Sequence, residues 1–584
     1  MPSTPSLPPS TGSVTADESF VKNLFNGVVS DGILFPYPEP TRAEADEVHG
    51  ILDGIRRFAA KNIDPARIDR EAAIPPAVLK GLADLGVFGL FVPKAYGGAG
   101  MGLTGYSRVV SEIAAADASV GMTVAAHGSL GLSALLFFGS EDVKAKFLPR
   151  CARGESLAAF ALVEVGAGSD AGAIQTRADK DGSDYVLRGE KIWVTNGGLA
   201  NVFTVFARTS PADEGAKPRL TAFVVERGEG ITNGPNESKL GVRGASTTNL
   251  RFDGVRVPEA HVLGEVGRGF KVAMEVLTSA RLTLAASCVG ASKRLLKLAV
   301  DRSIERKTFG RSISEFAIMK DKIGQMSGEI FALESMTYLT TGLYDAGRTD
   351  FSVESAICKV FGSETLCRVA NEAALIAGGL GYMSSEPYER MLRDARVNLV
   401  FEGTNEILRC FIALSGMQGP GRELSDVSKA MREPIKGFGL LSDFAIKKAR
   451  SVLSRNHMTR AHSVFQQQAA LVDQYASQLA KVVERALRRH GKMIAEMQFT
   501  LKRIADVAID LYAISACLSR TSRAIDKRGE EGARREIDLT TSFSTAAERR
   551  LMENIALFDA NDDELRKAIA QKTCADGGYP LDVI

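Results

Sequence analysis

The sequence lacks the residue patterns of metal sites, disulfide scaffolds and membrane spans. Its seven cysteines include no Cys-x-x-Cys pair and no histidine partner at metal spacing, so we expect no metal site and a reducing compartment. No stretch supplies the roughly 18 uninterrupted apolar residues that favour a membrane span. The 72 basic and 70 acidic residues leave a formal charge of +2, too small for a whole-chain nucleic-acid footprint. We therefore expect a soluble or surface-bound protein with no nucleic-acid partner.

The N-terminal segment also lacks targeting features. Residues 1–19 are rich in Pro, Ser and Thr, contain no Lys or Arg and have no apolar core. This composition matches neither a secretory signal nor a basic transit peptide. We expect residues 1–40 to be a flexible lead. The expected location is the cytoplasm of a bacterium or the mitochondrial matrix, with peripheral association to the inner membrane as a further option.

The remaining chain changes its hydrophobic period twice. Helical spacing over residues 41–155 predicts an N-terminal helical domain, and short β-branched runs over 156–275 predict a central β domain. Helical spacing returns over 276–422 and continues in an additional helical region, 423–584, where we expect one long helix from Ile494 to about Ile525. The fold class is therefore α+β and mostly α, since helices, strands and helices in blocks exclude an alternating βαβ sheet.

One part of the C-terminal region is unusually basic. Residues 444–472 contain no Asp or Glu but carry five cations: Lys447, Lys448, Arg450, Arg455 and Arg460. Apolar residues recur beside them on one predicted helical face: Leu441, Ala445, Ala449 and Val452. The pattern predicts an interfacial helix attracted to anionic lipid, although a solvated face of a packed helix gives the same pattern.

A glycine-rich loop follows the first predicted strand. Gly166, Gly168 and Ala171 match the spacing of a dinucleotide-binding turn. Such a turn must open a helix, yet residues 184–195 alternate as a strand, so we exclude a Rossmann unit. Two interpretations remain: a loop that holds phosphate through backbone N–H groups and Ser169, or a plain turn between strands.

Three further motifs carry candidate chemistry. Trp193, the only tryptophan, could cover a planar heterocycle, although a strand Trp is more often core. Arg306, at the end of a predicted helix, could bind phosphate or be solvated. Glu402 follows an apolar run and precedes a glycine, so burial would raise its pKa toward that of a general base; a paired surface acid is the alternative.

Taken in order and spacing, these motifs resemble the acyl-CoA dehydrogenase family over residues 43–414. The motifs that carry the resemblance are residues 166–170 (GAGSD), 193–198 (WVTNGG), 252–258 (FDGVRVP), 267–270 (GRGF), 305–310 (ERKTFG) and 401–404 (FEGT). Residues 35–38 (FPYP) and the C-terminal region resemble the very-long-chain branch and its assembly-factor relative. The family fold has an N-terminal helical domain, a β-barrel-like domain and an FAD-binding four-helix domain, which would be residues 276–422.

The resemblance implies an FAD cofactor and a homodimer or higher oligomer. Trp193 and Thr195 would lie against the isoalloxazine, Ser169 near the pyrophosphate, and Arg306 and Phe309 against the FAD of the partner subunit. The full set of implied cofactor-binding residues is Leu162, Val163, Gly168, Ser169, Trp193, Thr195, Arg306, Thr308, Phe309, Leu375, Gly378, Gly379, Thr404 and Glu406. The implied substrate-binding residues are Ser169, Arg281, Ala125, Ala126 and Gly403.

In the same way, Glu402 would be the catalytic base of acyl-CoA α,β-dehydrogenation to trans-2-enoyl-CoA. It would take the α-proton while the β-hydride passes to flavin N5, and its own backbone N–H would help to stabilise the enolate. The electron acceptor would be electron-transfer flavoprotein.

FAD affinity and the preferred length of the acyl chain stay open. Val163, Val165 and Leu375 stand where many members have Thr, Pro and Gln, which could change FAD affinity. The small residues at 124–129 would leave the acyl pocket open for a long chain, unless Met122 closes it. The main hypothesis is a long-chain acyl-CoA dehydrogenase; the alternatives are an acyl-CoA oxidase that uses oxygen and a non-catalytic scaffold like the assembly factor.

Overall fold

The computed structural model describes residues 18–209, 219–422 and 457–583. The chain forms two compact units: Tyr37–Leu408, and Met1–Pro36 together with Arg409–Ile584. The first 17 residues of the expected flexible lead lie outside the described residues. So does the expected interfacial helix up to residue 456.

The smaller unit begins with helix α1 (Phe20–Leu24). Ser19 caps it, because its hydroxyl accepts a hydrogen bond from the Lys22 N–H at 3.1 Å. Phe20 is buried, and its ring centroid lies 6.2 Å from that of Tyr512. The described part of the 1–40 segment therefore contributes a folded helix to the smaller unit.

The larger unit opens with helices. Thr41 and Glu44 form a capping box at the start of α2, as expected when a Thr precedes a Glu by three residues. The segment includes a π-helical stretch, Ala126–Leu132, between two α-helices. The helices are α2 (Arg42–Asn62), α3 (Pro65–Glu71), α4 (Pro76–Asp84), α5 (Leu103–Ala116), α6 (Ala118–Ala125), α7 (Ser133–Phe138) and α8 (Glu141–Ala152).

A mixed sheet follows, as the change of period predicts. Its eight strands include the order β6-β7-β3-β2-β4-β5-β8, with β1 pairing in parallel with β4. No α-helix opens after the glycine-rich loop, so the exclusion of a Rossmann unit is confirmed. The strands are β1 (Leu157–Ala161), β2 (Arg177–Asp181), β3 (Asp184–Thr195), β4 (Ala200–Arg208), β5 (Leu220–Glu226), β6 (Ile231–Asn233), β7 (Thr247–Pro258) and β8 (Val262–Leu263), followed later in the chain by a separate short pair, β9 (Lys307–Thr308) and β10 (Arg311–Ser312).

The second helical layer is built on α9 (Gly269–Glu305), which packs against α5 and α11. Gly290 allows the close approach of α9 to α5, because a Cβ there would lie 1.9 Å from the Ser111 carbonyl oxygen. The other helices are α10 (Ala317–Asp345), α11 (Ser352–Ala377), α12 (Pro387–Arg396) and α13 (Asn405–Gly416). The mostly helical α+β fold is therefore confirmed.

The smaller unit ends in four helices: α14 (Gln466–His490), α15 (Gln498–Gly532), α16 (Arg534–Ala556) and α17 (Asp563–Ala575). Helix α15 corresponds to the long helix that the periodicity predicts near residues 494–525. The carboxylate of Asp31 accepts hydrogen bonds from the backbone N–H groups of Thr459 and Arg460, at 2.7 and 2.8 Å. The N-terminal segment is thereby joined to the chain just before α14.

Among the described residues, two helical stretches are long and apolar enough to cross a membrane: Ala118–Phe138 and Gly269–Glu305. However, 72% and 78% of their most apolar windows are buried inside the protein. Such burial is typical of helices in a protein core.

Candidate active site

Glu402 lies on a strained loop between α12 and α13. Its φ of 59° and the φ of 97° at Gly403 are in the left-handed region, which is costly for any residue with a side chain. The loop ends at Thr404, whose hydroxyl accepts a weak hydrogen bond from the Ile407 N–H at 3.4 Å at the start of α13. Three predicted site residues, Trp193, Phe309 and Glu402, are among the non-glycine residues with positive φ.

One oxygen of the Glu402 carboxyl group is shielded from water, although the residue as a whole is half-buried. Its Oε2 atom is buried and has no hydrogen-bond partner among the described residues. Burial raises the pKa of Glu402 to about 7, against the opposing charges of Arg281 and Lys359. A carboxyl group with this pKa can accept a proton near neutral pH and tolerates the protonated state.

Two buried cations donate hydrogen bonds to main-chain oxygens of the Glu402–Gly403 loop. The Nε–H of Arg281 on α9 donates to the Glu402 carbonyl oxygen at 3.0 Å. The ammonium of Lys359 on α11 donates to the Gly403 carbonyl oxygen at 2.8 Å. Burial lowers the pKa of Arg281 to about 10 and that of Lys359 to about 8, while the charge of Glu402 opposes both shifts. The structure thus brings Arg281, Glu402 and Gly403 together, as expected.

Trp193 projects from a β-bulge. The register of β3 and β7 shifts between Lys191 and Val194, and the Trp193 N–H donates to the side chain of Asn249 at 3.2 Å instead of to the ladder. The bulge leaves Trp193 63% exposed, which excludes a core role for this side chain within the chain itself. Thr195, two residues further on, is half-buried.

The glycine-rich loop lies beside this bulge. The Ile192 N–H donates to the Val163 carbonyl oxygen at 2.9 Å, and the Lys191 ammonium donates to that of Leu162 at 3.1 Å. Leu162 and Val163 are half-buried, whereas Val165, Gly168 and Ser169 are exposed. The first part of the predicted cofactor set is therefore contiguous: Leu162, Val163, Trp193 and Thr195.

A buried ion pair fixes the same loop. The Glu164 carboxylate accepts hydrogen bonds from the Lys191 ammonium at 2.7 Å, from the Gln175 N–H at 2.6 Å and from the Thr176 N–H at 3.0 Å. Lys191 is fully buried, and burial lowers its pKa to about 8. Burial alone would raise the pKa of Glu164, but Lys191 and the donors outweigh it and hold that pKa below its usual value.

Other predicted cofactor residues lie at two separate places. Thr308 is on β9 and Phe309 in the turn of the β9–β10 hairpin, just after α9, with Arg306 at the helix end. Leu375 lies on the last turn of α11, where Gly378 ends the helix with a φ of 64° and Gly379 follows. The exposed residues of both groups are Arg306, Phe309, Leu375, Gly378 and Gly379. Glu406, in the first turn of α13, is also exposed.

The predicted acyl-pocket segment forms the π-helical stretch and the end of α6. Ala125 is half-buried and Ala126 buried. Gly128 faces Tyr106, because a Cβ at Gly128 would lie 2.3 Å from the tyrosine oxygen. The small side chains therefore occur where helices pack closely, and π-helical insertions are frequent at functional sites. This stretch also contacts α9, the helix that carries Arg281.

Some structural residues of the site were missed by the sequence analysis. His127 is buried; its Nδ1 accepts from the Ala158 N–H at 2.9 Å and its Nε2 lies 3.3 Å from the Phe88 carbonyl oxygen, while burial lowers its pKa to about 4. Asn196 donates to the carbonyl oxygens of Thr123 and Ala158. For Lys359, a lone cation within an apolar helical run was the available signal.

Comparison with known proteins adds independent information. Four family models match: the acyl-CoA dehydrogenase N-terminal domain over residues 45–155, the middle domain over 159–255, the C-terminal domain over 267–417, and the ACAD9/ACADV C-terminal domain over 463–579. The very long-chain specific mitochondrial acyl-CoA dehydrogenase of Homo sapiens is 40% identical over 557 residues, covering 93% of this chain and 85% of that protein. The chain belongs to the acyl-CoA dehydrogenase family. The expected family membership and enzyme class are thus confirmed.

Further acyl-CoA dehydrogenases extend the likeness. The probable acyl-CoA dehydrogenase FadE10 of Mycobacterium tuberculosis is 33% identical, with coverage of 93% of this chain and 86% of that protein. The crystal structure of an acyl-CoA dehydrogenase complexed with FAD from Bacillus anthracis superimposes with a TM-score of 0.78 at 28% identity, and the match covers 96% of each chain. The acyl-CoA dehydrogenases are flavoprotein oxidoreductases of fatty acid oxidation.

Proposed function

We propose that this acyl-CoA dehydrogenase converts long-chain acyl-CoA to trans-2-enoyl-CoA with FAD, the first step of fatty acid β-oxidation. The observation that carries the proposal is the buried, unpartnered Oε2 atom of Glu402, on a carboxyl group whose pKa is about 7. A buried polar atom without a partner is costly, so a functional role is the natural explanation.

Glu402 acts as the base for the substrate α-proton. Burial makes its carboxylate a stronger base than an exposed one, and Arg281 and Lys359 keep a share of it ionised at neutral pH. The same burial stabilises the neutral acid that forms when the proton arrives. The backbone N–H of Glu402 is proposed as one donor to the thioester carbonyl, where negative charge develops.

The residues present fit a flavin. The exposed Trp193 on the β3 bulge, the half-buried Thr195 and the half-buried Val163 beside them offer apolar surface and one hydroxyl to a planar ring. Bound FAD would supply the acceptor for the β-hydride, at flavin N5. Gly168 and Ser169 would hold the pyrophosphate, and Leu162 would border the ring. Thr404 and Glu406 are proposed near the adenosine diphosphate part, with the α11 end residues Leu375, Gly378 and Gly379.

Long acyl chains are the proposed substrates. The small residues Ala125 and Ala126 support this choice, as does the similarity to the very long-chain specific acyl-CoA dehydrogenase of Homo sapiens. Arg281, Ser169 and Gly403 would contact the acyl-CoA. Electrons would then pass to electron-transfer flavoprotein, and the protein would work in the bacterial cytoplasm or the mitochondrial matrix.

The direct test is an anaerobic titration of the purified protein with acyl-CoA of increasing length. The protein should be yellow, and palmitoyl-CoA should bleach it at lower concentration than butyryl-CoA. Rapid reoxidation by air after bleaching would instead indicate an oxidase. Colourless protein that does not take up FAD would reject the dehydrogenase function.

We propose a homodimer because of the position of the β9–β10 hairpin. Arg306 follows Arg281 by 25 positions and stands just past the end of α9, so at about 1.5 Å per residue the two lie roughly 37 Å apart along the helix axis. An Arg side chain cannot span that distance to a ring beside Glu402 in its own chain. Phe309 is 91% exposed, as expected for a side chain that a second subunit covers.

Substitution of Arg306 by Glu together with Phe309 by Ser should therefore weaken FAD retention about tenfold or more, since a charge-assisted contact and apolar burial are both lost. Gel filtration should show more monomer, and the FAD-to-protein absorbance ratio should fall. Leu565→Ser, at another exposed apolar residue, is the control. Unchanged FAD retention in the double variant would reject the proposed role of the hairpin.

Contact with an anionic membrane surface is proposed from the basic segment alone. Changing Lys447, Lys448 and Arg450 to Glu should abolish most binding to phosphatidylserine-containing vesicles, because each cation near such a surface contributes about 1 kcal/mol. Flotation measures the binding. Reversing the same number of charges on α17, at Arg566, Lys567 and Lys572, is the matched control. Equal losses in both variants would indicate non-specific charge attraction and reject the interfacial helix.

A further inference from the structure

Lys359 is a fully buried cation beside the proposed base. It lies in the first third of α11, within a run of apolar side chains, and has no exposed surface. Its ammonium donates to the Gly403 carbonyl oxygen and to the Asn405 side-chain oxygen, both at 2.8 Å. Burial of an ammonium costs free energy and needs compensation. The charge of Lys359 or its hydrogen bonds should therefore have a role in the site.

The contacts of Lys359 are with the base loop itself. Arg281 binds the Glu402 carbonyl and Lys359 binds the next carbonyl, that of Gly403, so two cations hold consecutive peptide oxygens. These are the two residues that the loop holds at positive φ. The left-handed conformation of Glu402 persists only if its surroundings fix it. Arg281 and Lys359, from different helices, supply that constraint.

The acceptor on Asn405 is oriented by its own neighbours. The Asn405 amide donates to the Ser363 hydroxyl at 3.0 Å and to the Glu364 carboxylate at 3.1 Å. This arrangement turns the Asn405 oxygen toward Lys359. Lys359 and Ser363 are one turn apart on α11, so the helix, Asn405 and the loop form one connected network.

We propose that Lys359 is a positioning residue for the base: its ammonium fixes the Glu402–Gly403 loop and its charge keeps the Glu402 carboxylate ionised. The inference rests on the proposed function. The ionisable groups that act on Glu402 are Arg281 from α9 and Lys359 from α11. Those that act on Lys359 are Glu402, Cys288 and Arg281, together with Glu364 on its own helix. Removing Lys359 therefore leaves Arg281 as the remaining cation of this set.

Lys359→Met tests the inference, since Met fills a similar volume without charge. The pH titration of Glu402 is followed by the infrared band of its protonated carboxyl group, identified by its loss in Glu402→Gln. This readout does not depend on turnover. We expect the titration midpoint to rise by about one pH unit or more in Lys359→Met. In anaerobic stopped flow, the acid limb of flavin reduction should move by the same amount.

Lys359→Gln separates charge from contact and serves if Lys359→Met does not fold. Its amide can still donate to Gly403, so the midpoint should rise while the maximal reduction rate at high pH stays above that of Lys359→Met. Lys191→Met, at the other fully buried lysine among the described residues, is the matched control and should leave the Glu402 midpoint in place. An unmoved midpoint in folded Lys359→Met or Lys359→Gln would overturn the inference. Absence of flavin reduction in the unaltered protein would reject the proposed function instead, while the infrared titration would still decide the role of Lys359.

Discussion

Glu402→Gln is expected to keep FAD yet reduce the rate of flavin bleaching by palmitoyl-CoA by roughly 10²- to 10⁴-fold. Gln is close to Glu in size, so the loop held by Arg281 and Lys359 through main-chain oxygens should keep its shape. What disappears is the only group of the loop that can accept a proton near pH 7. Anaerobic stopped-flow absorbance of the flavin measures the effect.

Glu275→Gln is the matched control, because Glu275 is an exposed acid on α9 that pairs only loosely with Lys271, at 3.6 Å. It should bleach at the rate of the unaltered protein. If Glu402→Gln bleached equally fast, Glu402 would not be the base. Loss of FAD from Glu402→Gln would point to a structural role for the carboxyl group.

Glu164→Leu is expected to lower the free energy of unfolding by about 3 to 5 kcal/mol, because it leaves the buried Lys191 charge without its carboxylate. Lys191 would keep only the Leu162 carbonyl as acceptor, and the Gln175 and Thr176 N–H groups would lose theirs. Lys191→Met should cost less, since Glu164 retains two backbone donors. Denaturant unfolding monitored by circular dichroism gives the difference.

The double variant Glu164→Leu with Lys191→Met should recover part of the loss, because no unpaired charge then remains buried. Asp301→Asn removes the exposed pair with Lys297 and should change the unfolding free energy by less than about 1 kcal/mol. A cost for Glu164→Leu as small as that of Asp301→Asn would show that the buried pair does not stabilise the loop.

The sequence predicted the layers of the fold well, because hydrophobic period depends on local chain geometry. The strand predicted around residues 185–195 is β3, and the long C-terminal helix is α15. The contribution of α1 to the smaller unit could not be predicted. Phe20 and Tyr512 are almost 500 residues apart, and such contacts have no local signal.

For the site, the motifs identified the residues but not their supports. Glu402 was found because an acid between an apolar run and a glycine is locally unusual. Lys359 was missed because its partners, Gly403 and Asn405, are more than 40 residues away. The bulge at Trp193 was also missed, since the alternation of β3 gives no sign of a register shift against β7. Tertiary contacts, not composition, decide these features.

The most direct test of the central claim is the rate of flavin reduction by palmitoyl-CoA deuterated at the α-carbon, measured in a single anaerobic turnover. If Glu402 removes the α-proton as the flavin is reduced, the deuterated substrate should react several-fold more slowly, and Glu402→Gln should react with neither substrate at a comparable rate. Equal rates for the two substrates, with Glu402→Gln as fast as the unaltered protein, would contradict the account.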